Sequence, residues 1–243
     1  MSSGPKETVS RLPDRPDRDR SPLKMLWYRV VQLVVTQVLS ISGGIRATGR
    51  GNLPQTGGVI LLSNHLSHLD VFVLGILLKR PLNYVARSTL FIPILGPLIR
   101  SVGGFPIQRD GKGSAGFKET LRRVRAGGIV TFFPEGTRSR DGNLAELKPG
   151  IVALAGRAGV PIVPAAIAGT FEGWPRGSRF PRPHPIRVHY GRSIQPEELV
   201  DLGAESVVAL LRERLLESQI QARTALARDL GSDCSDDQSL NLA

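Results

Sequence analysis

Short β-branched and apolar runs alternate with helix-length segments from about residue 45 to about residue 230, and this alternation restricts the fold more than any other feature. Strands that alternate with helices predict a mostly parallel sheet whose faces are covered by helices. We therefore predict an α/β fold in which a single domain, residues 45–228, has a mostly parallel central sheet flanked by helices. Strands are predicted at 59–62, 83–86, 105–108, 129–133, 160–168 and 186–190, and helices at 70–78, 118–126, 151–158 and 204–226.

An apolar segment at residues 25–39 precedes this domain. A membrane-spanning helix needs about 20 mostly apolar residues, and this segment is shorter and has polar interruptions. The interruptions are Arg29, Gln32, Thr36 and Gln37. Trp27 and Tyr28 near its start are typical of a water–lipid boundary. We predict an amphipathic membrane-interface helix within residues 25–44, with a core helix or a true span as alternatives.

The composition restricts the possible partners and the kinds of site that the chain can form. The formal net charge of +11 favours a polyanionic partner, either nucleic acid or an anionic membrane surface. Aromatic residues are only 5% of the chain, which leaves few rings for stacking on single-stranded nucleic acid. The single cysteine, Cys234, excludes a disulfide within the chain and a cysteine-based metal site. Residues 1–24 and 229–243 are expected to be disordered tails.

Polar residues capable of acid–base chemistry follow the strand predicted at 59–62. The chain continues as Ser63, Asn64 and His65, and Asp70 lies five positions beyond the histidine. Functional residues of α/β sheets gather just past the carboxyl ends of strands. A carboxylate beside an imidazole fixes its tautomer, so that the imidazole can deprotonate a substrate hydroxyl directly. Because helix faces repeat at three and four residues, a turn entering a helix is needed to join these two side chains.

Two other interpretations of this segment stay open at this point. His65, His68 and Asp70 offer two imidazoles and a carboxylate, which are ligands for zinc or iron. Their spacing differs from the helical His-x-x-x-His pattern of zinc proteases. Alternatively, the two histidines are capping or surface residues of an ordinary loop.

A second polar segment follows the strand predicted at 129–133. It reads Phe133, Pro134, Glu135, Gly136, Thr137, Arg138 and Ser139. Glycine lets the backbone approach a ligand closely, and arginine offers a planar donor fork for phosphate or carboxylate. An ordinary turn with a surface arginine is the alternative. Arg109 follows the apolar run at 105–108, from which it would point into the same cleft.

Four segments of the chain resemble, in the same order, the four motifs of the glycerolipid acyltransferase family, the group that contains bacterial 1-acyl-glycerol-3-phosphate acyltransferases. The first family motif, Asn-His-x4-Asp, is similar to Asn64, His65 and Asp70. The third, Phe-Pro-Glu-Gly-Thr-Arg-Ser, is matched without gaps by residues 133–139.

The second and fourth segments complete the resemblance. The second motif ends in an apolar residue, a variable residue and arginine, and residues 107–109 match it, although Pro106 departs from the usual pattern. The fourth, an apolar Val-Pro-x-x-Pro strand, is similar to residues 160–164. The four segments together identify the chain as a member of this family over roughly residues 45–195.

The resemblance implies a reaction. A fatty acyl group would move from a thioester donor, either acyl-CoA or acyl-ACP (acyl carrier protein), to the free hydroxyl of 1-acyl-glycerol-3-phosphate, giving phosphatidic acid. His65 would be the general base and Asp70 its partner. The acceptor could also be another lysophospholipid, and a non-catalytic lipid-binding protein with the same fold is an alternative from a different class. No metal or redox cofactor is expected.

The resemblance also implies a substrate pocket. Arg109 and Arg138 would hold the acceptor phosphate, and Glu135, Gly136 and Thr137 would line the same pocket. The backbone around Glu135 and Gly136 is the expected donor to the oxyanion that develops on the thioester carbonyl.

A basic stretch near the end of the domain gives the positive charge a further meaning. Residues 171–192 contain five arginines against one acid, Glu172. The arginines are Arg176, Arg179, Arg182, Arg187 and Arg192. Basic residues near an anionic bilayer contribute about 1 kcal/mol each. We therefore expect a peripheral or monotopic protein on the cytoplasmic face of a membrane, with no nucleic-acid partner.

Overall fold

A computed structural model describes residues 21–107 and 114–231. In it, the six predicted strands and one further strand form a seven-stranded sheet. The strands are β1 (Ile45–Thr48), β2 (Val59–Ser63), β3 (Leu82–Arg87), β4 (Gly104–Ile107), β5 (Ile129–Phe132), β6 (Ile162–Ala168) and β7 (Ile186–Tyr190). Their order across the sheet is β1-β7-β6-β2-β5-β3-β4, and only the β6–β7 pair is antiparallel. The predicted α/β fold class with a mostly parallel sheet is confirmed.

Helices cover both faces of this sheet. They are α1 (Pro22–Ile41), α2 (Asp70–Ile76), α3 (Leu95–Ser101), α4 (Ser114–Arg125), α5 (Gly150–Ala158), α6 (Thr170–Gly173) and α7 (Ala204–Leu230). One apolar core lies between the sheet and α4, α5 and α7, and a second lies between the sheet and α1 and α2. Burial of the two faces of the sheet, rather than local propensity alone, determines where these elements form.

The central strand β2 positions the residues that follow it. All five of its residues are buried, and it pairs in parallel with β5 on one side and β6 on the other. The carboxyl ends of these three strands therefore meet at one edge of the sheet. The segments that begin at Asn64, Phe133 and Gly169 leave the sheet together at that edge.

Helix α1 packs on the domain through the buried Tyr28 and Leu39 and through two polar side chains. Gln32 Nε2 donates to the carbonyls of Gly75 (2.7 Å) and Leu78 (3.1 Å), and Arg29 donates to the carbonyl of Lys79. The polar interruptions of the sequence pattern at Arg29 and Gln32 thus face protein. The apolar side chains at the opposite face are exposed: Leu23, Leu26, Trp27, Val30, Leu33, Val34, Val38 and Ile41.

The exposed residues of α1 recur every three or four positions, which places them on one stripe of the helix. Trp27 Nε1 donates to Ser101 Oγ at 2.9 Å and links α1 to α3. Ile92, Ile94 and Leu98, in and before α3, are exposed as well, Ile94 by 89%. We call the stripe of α1 and these three residues the apolar surface. Within the described ranges, no helix has the length and hydropathy to cross a bilayer.

Some boundaries and contacts differ from the sequence predictions. Helix α1 begins three residues before the predicted segment because Pro22 suits a first helical position and Ser21 caps it. Helix α7 ends at Leu230 rather than Leu226, and β1 was not predicted as a strand. Of the predicted tails, residues 1–20 and 232–243 lie outside the described residues.

The prediction that Arg187 belongs to an exposed basic surface is wrong. Arg187 is a strand residue of β7, is buried, and forms an ion pair with Asp229 near the end of α7. An unpaired guanidinium is costly to bury, so the partner on α7 explains its location. Arg176, Arg179, Arg182 and Arg192 are exposed as predicted.

Candidate active site

The loop from Asn64 to Asp70, which we call the catalytic loop, brings the predicted base and carboxylate into contact. His65 Nδ1 lies 2.9 Å from Asp70 Oδ2. The same oxygen accepts the backbone N–H groups of Leu66 (2.6 Å) and Ser67 (2.8 Å). These bonds close the turn into α2 that the five-residue spacing requires. The Asp70 side chain is fully buried, whereas that of His65 is 21% exposed.

The surroundings of His65 fix which nitrogen is available. With a buried carboxylate at Nδ1, the neutral imidazole carries its proton there and leaves the Nε2 lone pair free. The ring stacks on Phe133, with centroids 4.1 Å apart and an angle of 19° between the planes. Carboxylate and phenyl ring together orient the imidazole, so Nε2 can act as a base towards a group in the cleft.

Glu135 connects the second polar segment to the catalytic loop. Its Oε1 accepts the N–H of His65 at 2.7 Å, and its Oε2 accepts the N–H of Ala145 at 2.9 Å. Burial raises the pKa of this carboxyl, and the two backbone donors oppose the rise. Ser139 N also donates to the His65 carbonyl at 2.7 Å. Glu135 thus holds the backbone of the histidine, and a direct contact with substrate stays a prediction.

Gly136 has a different environment from the one expected of an oxyanion donor. Its N–H donates to the carbonyl of Phe133 at 3.1 Å, so this amide is engaged within its own turn. Its φ of 68° favours glycine. A Cβ atom placed on it would lie 3.2 Å from Lys148 Nζ. The absence of a side chain lets the Lys148 ammonium lie against the turn, a contact that the sequence analysis missed.

Positive charge gathers beside the catalytic loop at Arg138 and Arg176, and we call this region the site mouth. Burial lowers the pKa of Arg138, and the neighbouring Arg176 lowers it further. Burial likewise lowers the pKa of His68, and Arg138 and His65 add to the effect. Arg176, which the sequence analysis placed at the membrane, therefore lies near Arg138. Arg176 lies 38 positions beyond Arg138 in the sequence, so no local pattern predicts that the two side chains are close.

Two further residues of the predicted site are Thr137 and Arg109. Thr137 is exposed next to Arg138. Arg109 lies outside the described residues. In the described part of the chain, no three His, Cys, Asp or Glu side chains gather into a group that would hold a metal ion. The alternative metal site at His65, His68 and Asp70 therefore receives no support from the geometry.

The end of β6 and the segment after it form hydrogen bonds to the catalytic loop that the sequence did not predict. The side-chain amide of Asn64 donates to the Ile167 carbonyl (3.0 Å) and accepts the Ile167 N–H (2.9 Å). Ser67 Oγ donates to the Trp174 carbonyl at 2.9 Å. Thr170 Oγ1 donates to Asp70 Oδ1 at 2.7 Å. These partners lie 100 residues or more from the loop along the chain, so no local pattern signals them.

Comparison with known proteins gives a consistent result. A family model described as Acyltransferase matches residues 44–168, slightly more than half of the chain. A 1-acyl-sn-glycerol-3-phosphate acyltransferase of Bacillus subtilis is 26% identical over 190 residues, which cover 77% of this chain and 92% of that protein. A chloroplastic enzyme of the same name from Brassica napus is 36% identical over 134 residues, covering 54% of this chain but only 39% of the plant protein.

A solved structure shows the same fold. The 1-acyl-sn-glycerophosphate (LPA) acyltransferase of Thermotoga maritima superposes with a TM-score of 0.70 at 21% identity. The match covers 87% of this chain and 83% of that one. The two chains therefore share a fold over most of their length.

Proposed function

The chain belongs to the acyltransferase family, and we propose that it transfers a fatty acyl group from a thioester donor to the free hydroxyl of 1-acyl-glycerol-3-phosphate, giving phosphatidic acid. The observation that carries the mechanism is the contact of His65 with the buried Asp70 at the carboxyl end of β2. The names of the relatives support this choice of acceptor, and the cations at the site mouth agree with its phosphate.

The proposed reaction uses His65 as base and then as acid. Nε2 takes the proton of the acceptor hydroxyl as its oxygen attacks the thioester carbonyl. Asp70 stabilises the imidazolium that forms. When the tetrahedral intermediate collapses, the C–S bond breaks and the imidazolium returns the proton to the leaving thiolate. The products are the ester and the free thiol, and the imidazole is neutral again.

The charges at the site mouth have two proposed roles. Arg138 and Arg176 would bind the acceptor phosphate together with Arg109, because guanidinium groups suit phosphate geometry. Lys148, which lies against Gly136, would stabilise negative charge on the carbonyl oxygen. Acyl-CoA and acyl-ACP are both anionic, so a basic surface fits either donor.

We also propose that the apolar surface docks on a membrane. Apolar side chains along one face of a helix, with its opposite face held by the domain, match a helix that lies in the lipid interface. Arg176, Arg179 and Arg182 add exposed positive charge for anionic headgroups. Docking would bring the lipid acceptor to the site without full extraction into water. The cytoplasmic face is proposed because a thioester donor is expected there.

The experiment for the activity uses the purified protein in detergent with lysophosphatidic acid and either acyl-CoA or acyl-ACP. Formation of phosphatidic acid is measured for wild type, His65→Ala and, as a control outside the site, His189→Ala. We expect His65→Ala to lose about 10²–10⁴-fold in kcat, the usual contribution of a general base, and His189→Ala to retain activity. Full activity in His65→Ala would overturn the mechanism. A panel of other lysophospholipids tests the acceptor. Transfer to neither lysophosphatidic acid nor any member of the panel would favour a non-catalytic lipid-binding protein.

A further inference from the structure

The two oxygens of the Asp70 carboxylate are held from different parts of the chain. Oδ2 accepts from His65, Leu66 and Ser67, all within the catalytic loop. Oδ1 accepts the hydroxyl of Thr170 at 2.7 Å. Asp70 and Thr170 are both fully buried. Among the residues that the structure describes, Thr170 is the one donor to this carboxylate from outside its loop.

The backbone at Gly169 directs Thr170 back towards Asp70. Strand β6 ends at Ala168, and Gly169 has a φ of 92°, a conformation that other residues rarely adopt. A Cβ atom on Gly169 would lie 2.0 Å from the Pro185 carbonyl oxygen, so a side chain cannot be accommodated there. The turn at Gly169 is therefore sharp, and Thr170 follows it directly as the first residue of α6.

The segment that carries Thr170 is fixed to the catalytic loop on both sides of this contact. Before it, Asn64 makes two hydrogen bonds with the backbone of Ile167, and after it Ser67 binds the Trp174 carbonyl. A hydroxyl on so well-anchored a support can hold a carboxylate in one orientation.

We propose that Thr170 is a positioning residue of the active site, which sets the plane of the Asp70 carboxylate and thereby the orientation of His65. Its hydroxyl does not reach the substrate, because it is buried behind Asp70. Without it, Oδ1 is a buried carboxylate oxygen that has lost its donor. The carboxylate would then rotate to recover a partner, and His65 Nε2 would move away from the acceptor hydroxyl.

The test is a series of variants at position 170 that differ in how strongly the side chain can donate a hydrogen bond. Thr170→Ser keeps a hydroxyl donor, Thr170→Cys has a weak donor and Thr170→Val has none. Since hydrogen bonds to charged groups contribute more than neutral ones, we expect kcat to fall about tenfold or more in Thr170→Val. We expect an intermediate value in Thr170→Cys and near wild-type activity in Thr170→Ser. KM for acceptor and donor should change less than about twofold, because the substrate contacts are unchanged.

Thr131 provides a matched control on β5. It is also fully buried, but its hydroxyl has no hydrogen-bond partner among the described residues. Thr131→Val should leave kcat unchanged. A wild-type kcat in folded Thr170→Val, a raised KM with unchanged kcat, or equal loss in Thr170→Ser and Thr170→Val would each overturn the proposal. If Thr170→Val does not fold, equal activity of the Cys and Ser variants would overturn it.

The inference rests on the proposed function, and one readout separates the two. The proton resonance of His65 Nδ1–H, identified by its absence in His65→Ala, reports the contact with Asp70 whether or not a substrate reacts. We expect it to shift or disappear in Thr170→Val and to persist in Thr170→Ser and Thr131→Val. An unchanged resonance in Thr170→Val would reject the positioning role. Lack of acyl transfer in wild type with the expected resonance changes would reject only the function.

Discussion

The catalytic loop and helix α1 use polar and apolar side chains in opposite ways. In the loop, Asn64, Ser67 and Asp70 are buried, and each makes hydrogen bonds to the protein. In α1, Gln32 faces the domain while the apolar stripe is exposed, Leu33 by 61%. Buried and bonded polar groups specify one geometry, whereas an exposed apolar stripe marks a surface that is stable only against another apolar phase.

This difference indicates that the two regions have separate roles, one in chemistry and one in membrane binding. The loop fixes a base in one orientation, which is a requirement of chemistry rather than of lipid binding. The apolar surface carries no acid–base group and would act by bringing the protein to the lipid. If the division holds, variants in one region should change one property and leave the other unchanged.

The largest expected effect comes from breaking the loop at Asp70. Asp70→Asn keeps the shape but removes the charge that stabilises the imidazolium. Both carboxylate oxygens of Asp70 accept hydrogen bonds, so the amide nitrogen of asparagine would place a donor against a donor. We expect kcat/KM to fall by about 10²-fold or more, measured as phosphatidic acid formation in detergent. Binding to anionic vesicles should be unchanged. A matched variant at the exposed Asp201, Asp201→Asn, should keep activity, and equal loss in both would contradict the role of Asp70.

A smaller effect is expected when the apolar surface is made acidic. The double variant Leu26→Glu and Leu33→Glu removes two exposed leucines from the stripe of α1. Because burial of a leucine contributes about 1.5–3 kcal/mol, sedimentation with anionic vesicles should weaken by about tenfold or more. Activity in detergent should change less than about twofold.

The control for this variant keeps the charge change but moves it to other exposed apolar positions. Val200→Glu with Ile220→Glu places two acids on residues that are 75% and 61% exposed, outside the apolar surface. This control should bind vesicles more strongly than the α1 variant. If both lose binding equally, net charge rather than the apolar stripe holds the protein to the membrane.

The sequence predicts the elements that bury apolar residues and the motifs that follow them. The strand at Val59 and the proximity of His65 and Asp70 to Phe133–Ser139 follow from β-branched runs and from parallel strand ends meeting at one edge. β1 was not predicted because Ile45–Thr48, at four residues, is too short to show a clear pattern. In so short a segment the ladder with β7 supplies the structure.

Contacts across long stretches of chain explain most of what the sequence did not predict. Thr170 lies 100 residues from Asp70, and Arg187 lies 42 residues from Asp229. Neither pair has a local pattern, because the sheet topology brings them together. The sequence predicted an amphipathic helix for α1, but the direction that its apolar stripe faces depends on the bonds of Gln32 to the carbonyls of Gly75 and Leu78.

The smallest expected effect tests whether every buried hydroxyl near the strand ends is needed. Thr131 on β5 is fully buried, and among the residues that the structure describes its hydroxyl has no hydrogen-bond partner, unlike that of Thr170. Valine has a similar shape without the polar group, so Thr131→Val should stabilise the protein by about 1 kcal/mol. Thermal unfolding should show a rise in Tm of about 2–4 °C. Thr131→Ser, which keeps the hydroxyl and loses the methyl, should lower Tm instead. A fall in Tm for Thr131→Val would mean that this hydroxyl has a partner, and the contrast between Thr131 and Thr170 would then be lost.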